Sequence, residues 1–425
     1  MDVPRSRNDV SSRVSLRRAG RVLVYASEGY TTHDRRFLAM AHSSGWEVHH
    51  LRVGGEGQAL ESRSVPDGVK VLEAPGALID ARSTGKERVQ AFRQVVGGVG
   101  PSLIHAGPLP TVAALAVEAA VAPVVAMSWA SDLLIDVHRS EEAQRLAVRS
   151  LVGATAVLVD CRTLAALAEG LGAAPDKITI VPWGVDLQDF SYVPLNDVEG
   201  PTRFISLRSF EPIYDVSTLL RAFAAARLRA GEDAMRLTLA GSGSEEASLR
   251  ELAGRLGITE ALRWAGRVPE TEVGALLAAH HAHISTAHSD GTSISLLQAM
   301  AVGRPSIVSD LPANREWVEP GHSGWLFSPG DHEGLASRMI EVHTSRRHLE
   351  VVGGRCRLIV ERSADWVKNG SVIAELYERS AQLGTIGPDE RSARKNDRLG
   401  RTIGPEERSA RPAATNEDDR GASSG

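Results

Sequence analysis

From residue 20 onward the chain alternates short, β-branched apolar runs with amphipathic helical patterns, and this alternation restricts the fold more than any other feature. RVLVYAS (21–27), WEVHHLRV (46–53) and PSLIHAG (101–107) are typical of buried strands, and DRRFLAMAHSSG (34–45) is typical of the helix between two of them. Strands that are separated by helices form right-handed βαβ units, which build a parallel sheet. The first part of the chain is therefore predicted to be one such sheet.

A second series of strands begins after ITIVPWGVDLQDF (178–190). Its predicted strands are RFISLRS (203–209), MRLTLAGSG (235–243), ALRWAGRV (261–268), AHISTA (282–287) and PSIVSD (305–310). We expect two Rossmann-like α/β domains with doubly wound parallel sheets, one over 20–187 and one over 188–360. A ligand of such a pair should lie beyond the carboxyl ends of the strands.

Length and composition exclude several classes of protein. A chain of 425 residues suits two domains, and its 42% apolar and 24% charged residues are those of a soluble globular protein. A net charge of −5 argues against nucleic acid as a partner. The two cysteines, Cys161 and Cys356, belong to no CxxC motif, so neither a disulfide framework nor a zinc site is expected. A cytoplasmic location is the prediction.

The two ends of the chain differ in character from its body. Residues 1–19 carry five arginines but no apolar segment, which is unlike a secretory signal; a disordered leader is favoured over a weak contact with the anionic inner face of a membrane. In the segment 384–425, TIGPDERSAR (385–394) recurs as TIGPEERSAR (402–411), with a period of 17 residues. Its lack of large apolar residues predicts a disordered tail.

The most informative segment is SDGTSISLLQAMAVGRPSIVSD (289–310). Asp290 lies in the loop after the strand AHISTA, and Thr292 or Ser293 is suited to cap the next helix. The loop therefore brings a carboxylate, Gly291 and unpaired backbone N–H groups to a helix N-terminus at the rim of a sheet. Such a site suits a ligand that is rich in phosphate and hydroxyl groups.

These residues resemble the large family of retaining glycosyltransferases with the GT-B fold, which includes sucrose- and glycogen-type synthases and bacterial envelope enzymes. That family typically has an acid, seven residues, a second acid and then Ala-Met-Ala-x-Gly-x-Pro, which compares here with Asp290 to Gln298 followed by AMAVGRP. VPWGVD (181–186) resembles the interdomain motif of the family. ADWVKNGSVIAELYE (364–378) resembles its terminal helix, so residues 361–381 are expected to cross back to the first domain.

The resemblance implies a nucleotide-sugar donor in the second domain and an acceptor in the first. Asp290 would bind donor-sugar hydroxyls, Gln298 would bind the ribose, and Arg208 would hold the diphosphate. The other implied donor-binding positions are backbone or loop positions: Gly241, Gly243, Arg267, Val268, Gly291, Thr292 and Ser293. Arg208 and Asp290 are the implied catalytic residues.

On the acceptor side, the resemblance points to His105 in LIHAG and to Asp132 in SWASDLL. Trp129 stands where the family commonly has histidine. Asp34 opens the first helix at the sheet rim, where an acceptor could bind, although an acidic residue at a helix N-terminus explains it equally well.

The donor motif also departs from the family. Gln298 replaces the second acid, and no lysine follows Arg208 in the segment RSFEPIYD (208–215). An amide still bonds a ribose diol, although more weakly than a carboxylate does. One positive charge on the leaving phosphate is absent, so Arg208 and the helix N-terminus would have to compensate.

Two other motifs are weaker than they look. Gly241-Ser242-Gly243 has Glu246 where a dinucleotide fingerprint needs its third glycine, which disfavours a nicotinamide site. Four histidines, at 280, 281, 283 and 288, straddle a helix end and a strand, so no common face presents them to a metal.

The resemblance thus implies a retaining transferase that moves a hexose-type sugar from a nucleoside diphosphate, with UDP favoured because the family most often uses it. The transfer would serve polysaccharide, envelope or natural-product synthesis, without metal or other cofactor, and the acceptor could be a glycan, a lipid-linked glycan or a small molecule. Two alternatives stay open: a catalytically degenerate sugar-nucleotide-binding partner, and a nucleotide-sugar 2-epimerase.

Overall fold

The protein is built on two parallel β-sheets, seen in a computed structural model that describes residues 21–54, 61, 63–195 and 199–385. The predicted leader, residues 1–19, lies outside the described residues, as does the predicted tail from residue 386 onward. We call the part around the first sheet the N-terminal lobe and the part around the second the C-terminal lobe.

The N-terminal lobe has a seven-stranded parallel sheet in the order β3-β2-β1-β4-β5-β6-β7. Its strands are β1 Val22–Ser27, β2 Glu47–Arg52, β3 Lys70–Leu72, β4 Leu103–Ala106, β5 Val124–Met127, β6 Ala156–Val159 and β7 Ile178–Ile180. Its helices are α1 Thr32–Ser43, α2 Gly76–Ile79, α3 Gly85–Val99, α4 Ala114–Ala119, α5 Ser131–Leu134, α6 Glu141–Gly153 and α7 Arg162–Gly170. Successive residues of β1 enter two cores, Leu23 on one face and Val24 on the other, because side chains alternate along a strand.

The C-terminal lobe has a six-stranded parallel sheet in the order β10-β9-β8-β11-β12-β13. Its strands are β8 Thr202–Ser206, β9 Met235–Leu239, β10 Leu262–Trp264, β11 Ala282–Ser285, β12 Ser306–Ser309 and β13 Gly324–Phe327. Its helices are α8 Val216–Ala230, α9 Glu246–Arg255, α10 Glu270–Ala278, α11 Ile294–Val302, α12 Pro312–Arg315, α13 His332–Thr344 and α14 Leu349–Ser363. β13 is absent from the sequence prediction, since GWLF carries no alternating pattern.

The strand order places a crevice in the C-terminal lobe. The order reverses between β8 and β11, which lie side by side although two strands separate them in the chain. Loops that leave neighbouring strands in opposite directions leave an opening at their carboxyl ends, where doubly wound proteins bind ligands. Arg208 follows β8 and Asp290 follows β11, so both predicted residues lie at this crevice.

The chain crosses between the lobes twice, and the two crossings are hydrogen-bonded to each other. The Val185 N–H donates to the carbonyl of Ala364 at 2.8 Å, and the Trp366 N–H donates to the carbonyl of Val185 at 3.0 Å. Helix α15, Trp366–Thr385, then returns to the N-terminal lobe, where Ile373 and Tyr377 are fully buried in its core. The crossing helix thus begins at Trp366 and not at 361.

Among the described residues, no helix is both long enough and apolar enough to cross a membrane.

Candidate functional site

Arg208, Asp290 and Ser293, three of the predicted donor-site residues, meet at the crevice of the C-terminal lobe. The Arg208 guanidinium forms an ion pair with the Asp290 carboxylate and donates to the Ser293 hydroxyl. Its Nε donates to the Ser285 hydroxyl at 2.9 Å, and the guanidinium carbon lies 5.0 Å from the centre of the Tyr214 ring. The Arg208 side chain is 10% exposed and that of Asp290 is 18% exposed, so the charges face each other largely out of water.

Gly241 and Gly243, which follow β9, pack against the backbone of the loop that contains Arg208. A Cβ at Gly241 would lie 2.0 Å from the carbonyl oxygen of Arg208, and one at Gly243 would lie 2.4 Å from that of Phe210. The two loops are also hydrogen-bonded, since the Phe210 N–H donates to the carbonyl of Ser242 at 3.0 Å. These contacts explain the need for glycine by loop packing, whereas the sequence argument had assigned it to close approach of the donor.

Glu211 pairs with the glycine loop and not with Arg208. Its carboxylate accepts from the N–H of Ser244 at 3.0 Å and from the hydroxyl of the same residue at 2.5 Å. The Arg208 guanidinium is instead bonded to Asp290 and Ser293.

Helix α11 begins as predicted, with Ser293 as its N-cap. The Ser293 hydroxyl accepts from the N–H of Leu296, and Gly303 ends the helix in the left-handed conformation, with φ of 82°. The first-turn N–H groups of a helix have no intrahelical partner and attract anions. The Arg208 guanidinium therefore lies beside a helix N-terminus, which suits an anionic group of a ligand.

The N–H of Thr292, which was expected to hold the diphosphate, has a partner from the other lobe. It donates to the Asp160 carboxylate at 3.1 Å, and the Thr292 hydroxyl donates to the carbonyl of Asp160 at 2.9 Å. The neighbouring Gly291 is a contact point as well, because a Cβ there would lie 2.8 Å from the Cβ of Ala130. The loop of residues 289–293, which we call the donor loop, is thus in contact with residues of the N-terminal lobe.

Gln298 lies one turn into α11 and faces a different part of the cleft. It is buried and lines a cavity of about 740 Å³ together with Arg36, Asp186, Asp189 and Trp366. This volume is in the range of small-molecule sites. The cavity is bounded by both lobes and by α15, so a group bound there would contact all three.

Arg267 and Val268 follow β10, two strands away from β8 in the sheet. Arg267 is exposed and Val268 is half-buried. Both lie at the carboxyl edge of the same sheet as Arg208, which agrees with a role at the far end of an extended ligand.

His105 on β4 lies in the core of the N-terminal lobe. It is 0% exposed, its Nδ1 is hydrogen-bonded to the Tyr377 hydroxyl, and its Nε2 lies 3.2 Å from the sulfur of Met127. Burial lowers the pKa of His105 to about 3, so the ring is neutral. The acceptor contact predicted for it stays a prediction, but this geometry leaves the ring no exposed surface for one.

Asp132 on α5 is also buried, and it holds a strained turn at the cleft. Its carboxylate accepts from the N–H groups of Leu109 at 3.0 Å, Trp129 at 3.1 Å and Leu133 at 2.9 Å. The turn is centred on Ala130, whose φ is 67°, and is closed by the Ser131 N–H on the carbonyl of Trp129 at 2.9 Å. A positive φ at a non-glycine residue costs energy and is often found at functional sites.

In this arrangement the buried Asp132 carboxylate positions the turn that is centred on Ala130. Burial raises the pKa of its carboxyl, while the hydrogen bonds that it accepts lower it. The half-buried Trp129 indole, which belongs to the held turn, packs 5.0 Å from the ring of Trp183. An acceptor in the cleft would therefore meet Trp129 and not the carboxylate of Asp132.

Asp34 has the simpler of its two predicted roles. Its carboxylate accepts from the N–H of Thr31 at 2.7 Å and from the Tyr25 hydroxyl at 2.9 Å, and the Thr31 hydroxyl accepts from the N–H of Asp34. This reciprocal pair is a capping box at the start of α1. Asp34 is 1% exposed, so its carboxylate does not reach the cleft.

Sequence reasoning missed Asp160, Ser285 and Tyr214. Asp160 and Ser285 lie at the carboxyl ends of β6 and β11, in the segments TAVLVD and AHISTA. The rule that ligands lie beyond strand ends could have identified both, since each is a polar residue that terminates an apolar run. Tyr214 had no comparable signal, because a short turn after Pro212 brings it under Arg208.

The four histidines of 280–288 have separate partners. His280 bonds Thr238 and the carbonyl of Leu276, and His281 Nδ1 accepts from the N–H of Arg203. His283 lies 3.2 Å from the Ser306 hydroxyl, and His288 pairs with Asp215. In the part of the chain that the structure describes, no three histidine, cysteine or acidic side chains are grouped as metal ligands.

Solved structures define the class of the fold. The chain aligns with the Anabaena protein HepE in complex with UDP at a TM-score of 0.68 and 17% identity, which covers 85% of this chain and 100% of HepE. A sucrose-phosphate synthase from Thermosynechococcus elongatus aligns at a TM-score of 0.70 and 16% identity, over 85% of this chain and 99% of the synthase. Two Rossmann-like lobes that face each other across a cleft, in this topology, are the GT-B fold.

Sequence comparison shows which family part of the chain resembles. Residues 191–357 match the family model described as "Glycosyl transferases group 1". A glycogen synthase of Mycobacterium tuberculosis is 25% identical over 225 residues, 53% of this chain and 54% of the synthase. A phosphatidyl-myo-inositol mannosyltransferase of Mycolicibacterium smegmatis is 29% identical over 289 residues, 66% of this chain and 71% of that enzyme. Several of the curated relatives are matched over only about half of their length.

Proposed function

We propose that this protein is a retaining, metal-independent glycosyltransferase that moves a hexose-type sugar from a nucleoside diphosphate, preferably UDP, to a hydroxyl acceptor. The observation that carries the proposal is the cluster of Arg208, Asp290 and Ser293 at the N-terminus of α11. A cation, a carboxylate and a helix N-terminus at one strand-order reversal match the diphosphate and the hydroxyl groups of one nucleotide sugar.

The cluster suggests how the bond to the diphosphate is broken. As the sugar leaves, negative charge grows on the diphosphate, and the Arg208 guanidinium and the first-turn N–H groups of α11 oppose that charge. Both are held in place before the reaction, Arg208 by Ser285 and Tyr214 and the helix by its Ser293 cap. Such fixed donors need no reorganisation when charge develops, and the departing phosphate is then the group available to take the proton of the acceptor.

The relatives support a nucleotide-sugar donor. HepE has been crystallised with UDP and also with UDP-glucose, and the curated relatives include a glycogen synthase and mannosyltransferases. These ligands and activities belong to the relatives. For this chain, they make UDP-glucose and GDP-mannose the first probes to test.

One observation favours the alternative of a binding partner that has lost catalysis. In the structure Arg208 is paired with Asp290, the Thr292 N–H is paired with Asp160, and the segment 208–215 contains no lysine. A site in which Arg208 and the Thr292 N–H already have internal partners could bind a nucleotide sugar without cleaving it. Turnover, and not affinity, separates the two functions.

The test is an assay of the purified full-length chain with UDP-glucose, UDP-galactose and GDP-mannose, each alone and with a panel of glycoside and polyol acceptors. We expect one of them to bind and to release its nucleoside diphosphate faster when an acceptor is present, with an unchanged anomeric configuration in the product by NMR and with full activity in EDTA. Binding without turnover would favour the degenerate partner, and a new 2-epimeric sugar without acceptor would favour the epimerase. No binding of any sugar nucleotide would exclude the proposal.

A further inference from the structure

Asp160 stands out among the polar residues of the cleft because it is buried at the junction of the lobes. It follows β6 of the N-terminal lobe, is 3% exposed, and contacts the donor loop of the C-terminal lobe. One carboxylate oxygen accepts from the Thr292 N–H, while the other is buried without a strong donor, and the adjacent Cys161 thiol is only a weak one. A buried carboxylate oxygen that lacks a strong donor is costly and calls for an explanation.

The surroundings of Asp160 oppose a negative charge. The titratable side chains near it come from both lobes and are Asp132, Cys161, Asp290 and Glu316. The Arg208 charge is already paired with Asp290, and Glu316 accepts from the N–H groups of Arg162 and Thr163 beside Asp160. Burial, with smaller effects of Asp290 and Asp132, raises the pKa of Asp160 to about 7.

The Thr292 N–H, to which Asp160 binds, belongs to the anion-binding part of the loop. It directly precedes Ser293, the N-cap of α11, whose hydroxyl is also bonded by Arg208. A diphosphate placed between Arg208 and the start of α11 would approach the Asp160 carboxylate and compete with it for this donor.

On the basis of the proposed function, we propose that Asp160 is a positioning residue that takes the place of the diphosphate when no donor is bound. Its carboxylate occupies the Thr292 N–H and holds the donor loop while no anion is bound, and a donor displaces it. Because the displaced carboxyl then faces a diphosphate in a buried place, it takes up a proton as the donor binds. Asp160 consequently lowers the affinity for the donor and keeps the donor loop ordered when no donor is bound.

The experiment compares the wild type with Asp160→Asn by calorimetry, using UDP-glucose, or GDP-mannose if only that binds. The diphosphate of both compounds carries no group that titrates between about pH 6 and pH 8, so any proton exchange comes from the protein. We expect Asp160→Asn to bind the nucleotide sugar about tenfold more tightly at about pH 7.5, because one negative charge beside the diphosphate is removed. Repeating the titration in buffers of different ionisation enthalpy should show proton uptake by the wild type and none by the variant.

Asp233→Asn is the control, because it removes the same charge from a carboxylate that is 95% exposed on the C-terminal lobe, and we expect no change in affinity. An Asp160→Asn variant that binds no more tightly than the wild type overturns the inference. If that variant does not fold, wild-type binding without proton uptake overturns it instead. Failure of the wild type to bind any sugar nucleotide would refute the proposed function, and the inference with it, which is a different result from binding that ignores Asp160.

Discussion

Arg208 shows how single residues of this site depend on their neighbours. Three different segments hold its guanidinium: Ser285 at the end of β11, the donor loop with Asp290 and Ser293, and the Tyr214 ring. The backbone of the Arg208 loop rests in turn on Gly241, where any side chain would collide with it. An arginine fixed in this way can present a planar pair of donors to a phosphate with little loss of side-chain entropy on binding.

We expect Arg208→Ala to weaken UDP-glucose binding by roughly 10- to 150-fold, since hydrogen bonds to charged groups contribute about 1.5–3 kcal/mol. Arg208→Lys should fall between the two, because an ammonium keeps the charge but loses the fork of donors. Calorimetry measures the affinity, and Arg227→Ala, which removes a half-buried arginine that bonds the carbonyl of Glu232, is the matched control. An Arg208→Ala variant with wild-type affinity would remove this residue from the site.

At the scale of elements, α15 joins the end of the chain to the N-terminal lobe. Tyr377 is fully buried between Trp46 and His105, and its hydroxyl is the partner of His105 Nδ1. Burial raises the pKa of Tyr377 and lowers that of His105, so the pair is a neutral hydrogen bond inside the core. The hydrogen bond between Tyr377 and His105 thus helps to fix α15, and loss of either side chain would leave the other buried without this partner.

Tyr377→Phe should therefore destabilise the protein by about 1–3 kcal/mol, the cost of leaving a buried ring nitrogen without a partner. Urea unfolding measures the change, and a constant slope of free energy against urea would show that the unfolded state is unaffected. Val367→Ala on the same helix is the control, because Val367 is 65% exposed and its loss should change stability little. Equal stability of Tyr377→Phe and the wild type would contradict the role given to this bond.

At the scale of the whole molecule, polar contacts join the lobes in addition to the two chain crossings. Asp160 holds Thr292, Glu316 caps the start of α7, and Arg63 pairs with Glu270 at 2.6 Å. The Arg63–Glu270 pair, whose side chains are 37% and 27% exposed, is partly screened by water. The other two contacts flank the donor loop, so we expect binding of the proposed donor there to be linked to the contact between the lobes.

Several buried histidines make stability depend on pH. Burial lowers the pKa of His33, His50, His105 and His283 to about 3. In the unfolded chain each would titrate near 6.5, so below that pH the unfolded state binds more protons and the free energy of unfolding falls as pH falls. Asp160 acts in the opposite direction, because its raised pKa favours the protonated form in the folded state; its contribution is lost as pH rises towards about 7.

His50→Gln isolates one of these histidines. The amide can retain the bond of 3.1 Å that His50 Nε2 makes with the Ser27 hydroxyl, but it does not titrate. Between about pH 6 and pH 4 we expect the free energy of unfolding of the variant to fall less steeply than that of the wild type, by about 1.4 kcal/mol per pH unit. Chemical unfolding at several pH values measures both slopes, and parallel curves would show that His50 titrates normally in the folded protein.

Much of the fold was determined locally and could be read from the sequence. RVLVYAS and AHISTA are β-branched apolar runs between helical patterns, and both form parallel strands. The end of α11 at Gly303 followed from chain chemistry as well, because only glycine readily adopts that φ and Pro305 cannot continue a helix. The family resemblance assigned Arg208 and Asp290 to one donor site, and in the structure they meet because both follow strands of one sheet.

Only the tertiary structure decided which polar groups are available to a ligand. His105, Asp132 and Asp34 looked like cleft residues, but each is buried among partners that come from distant segments or from its own helix cap. In the sequence Asp160 is only the last residue of a strand-like run, whereas in the structure its carboxylate contacts the C-terminal lobe. Periodicity reports which face of an element is apolar, whereas the partner of a buried polar group is set by packing between segments over a hundred residues apart, such as Asp160 and Thr292.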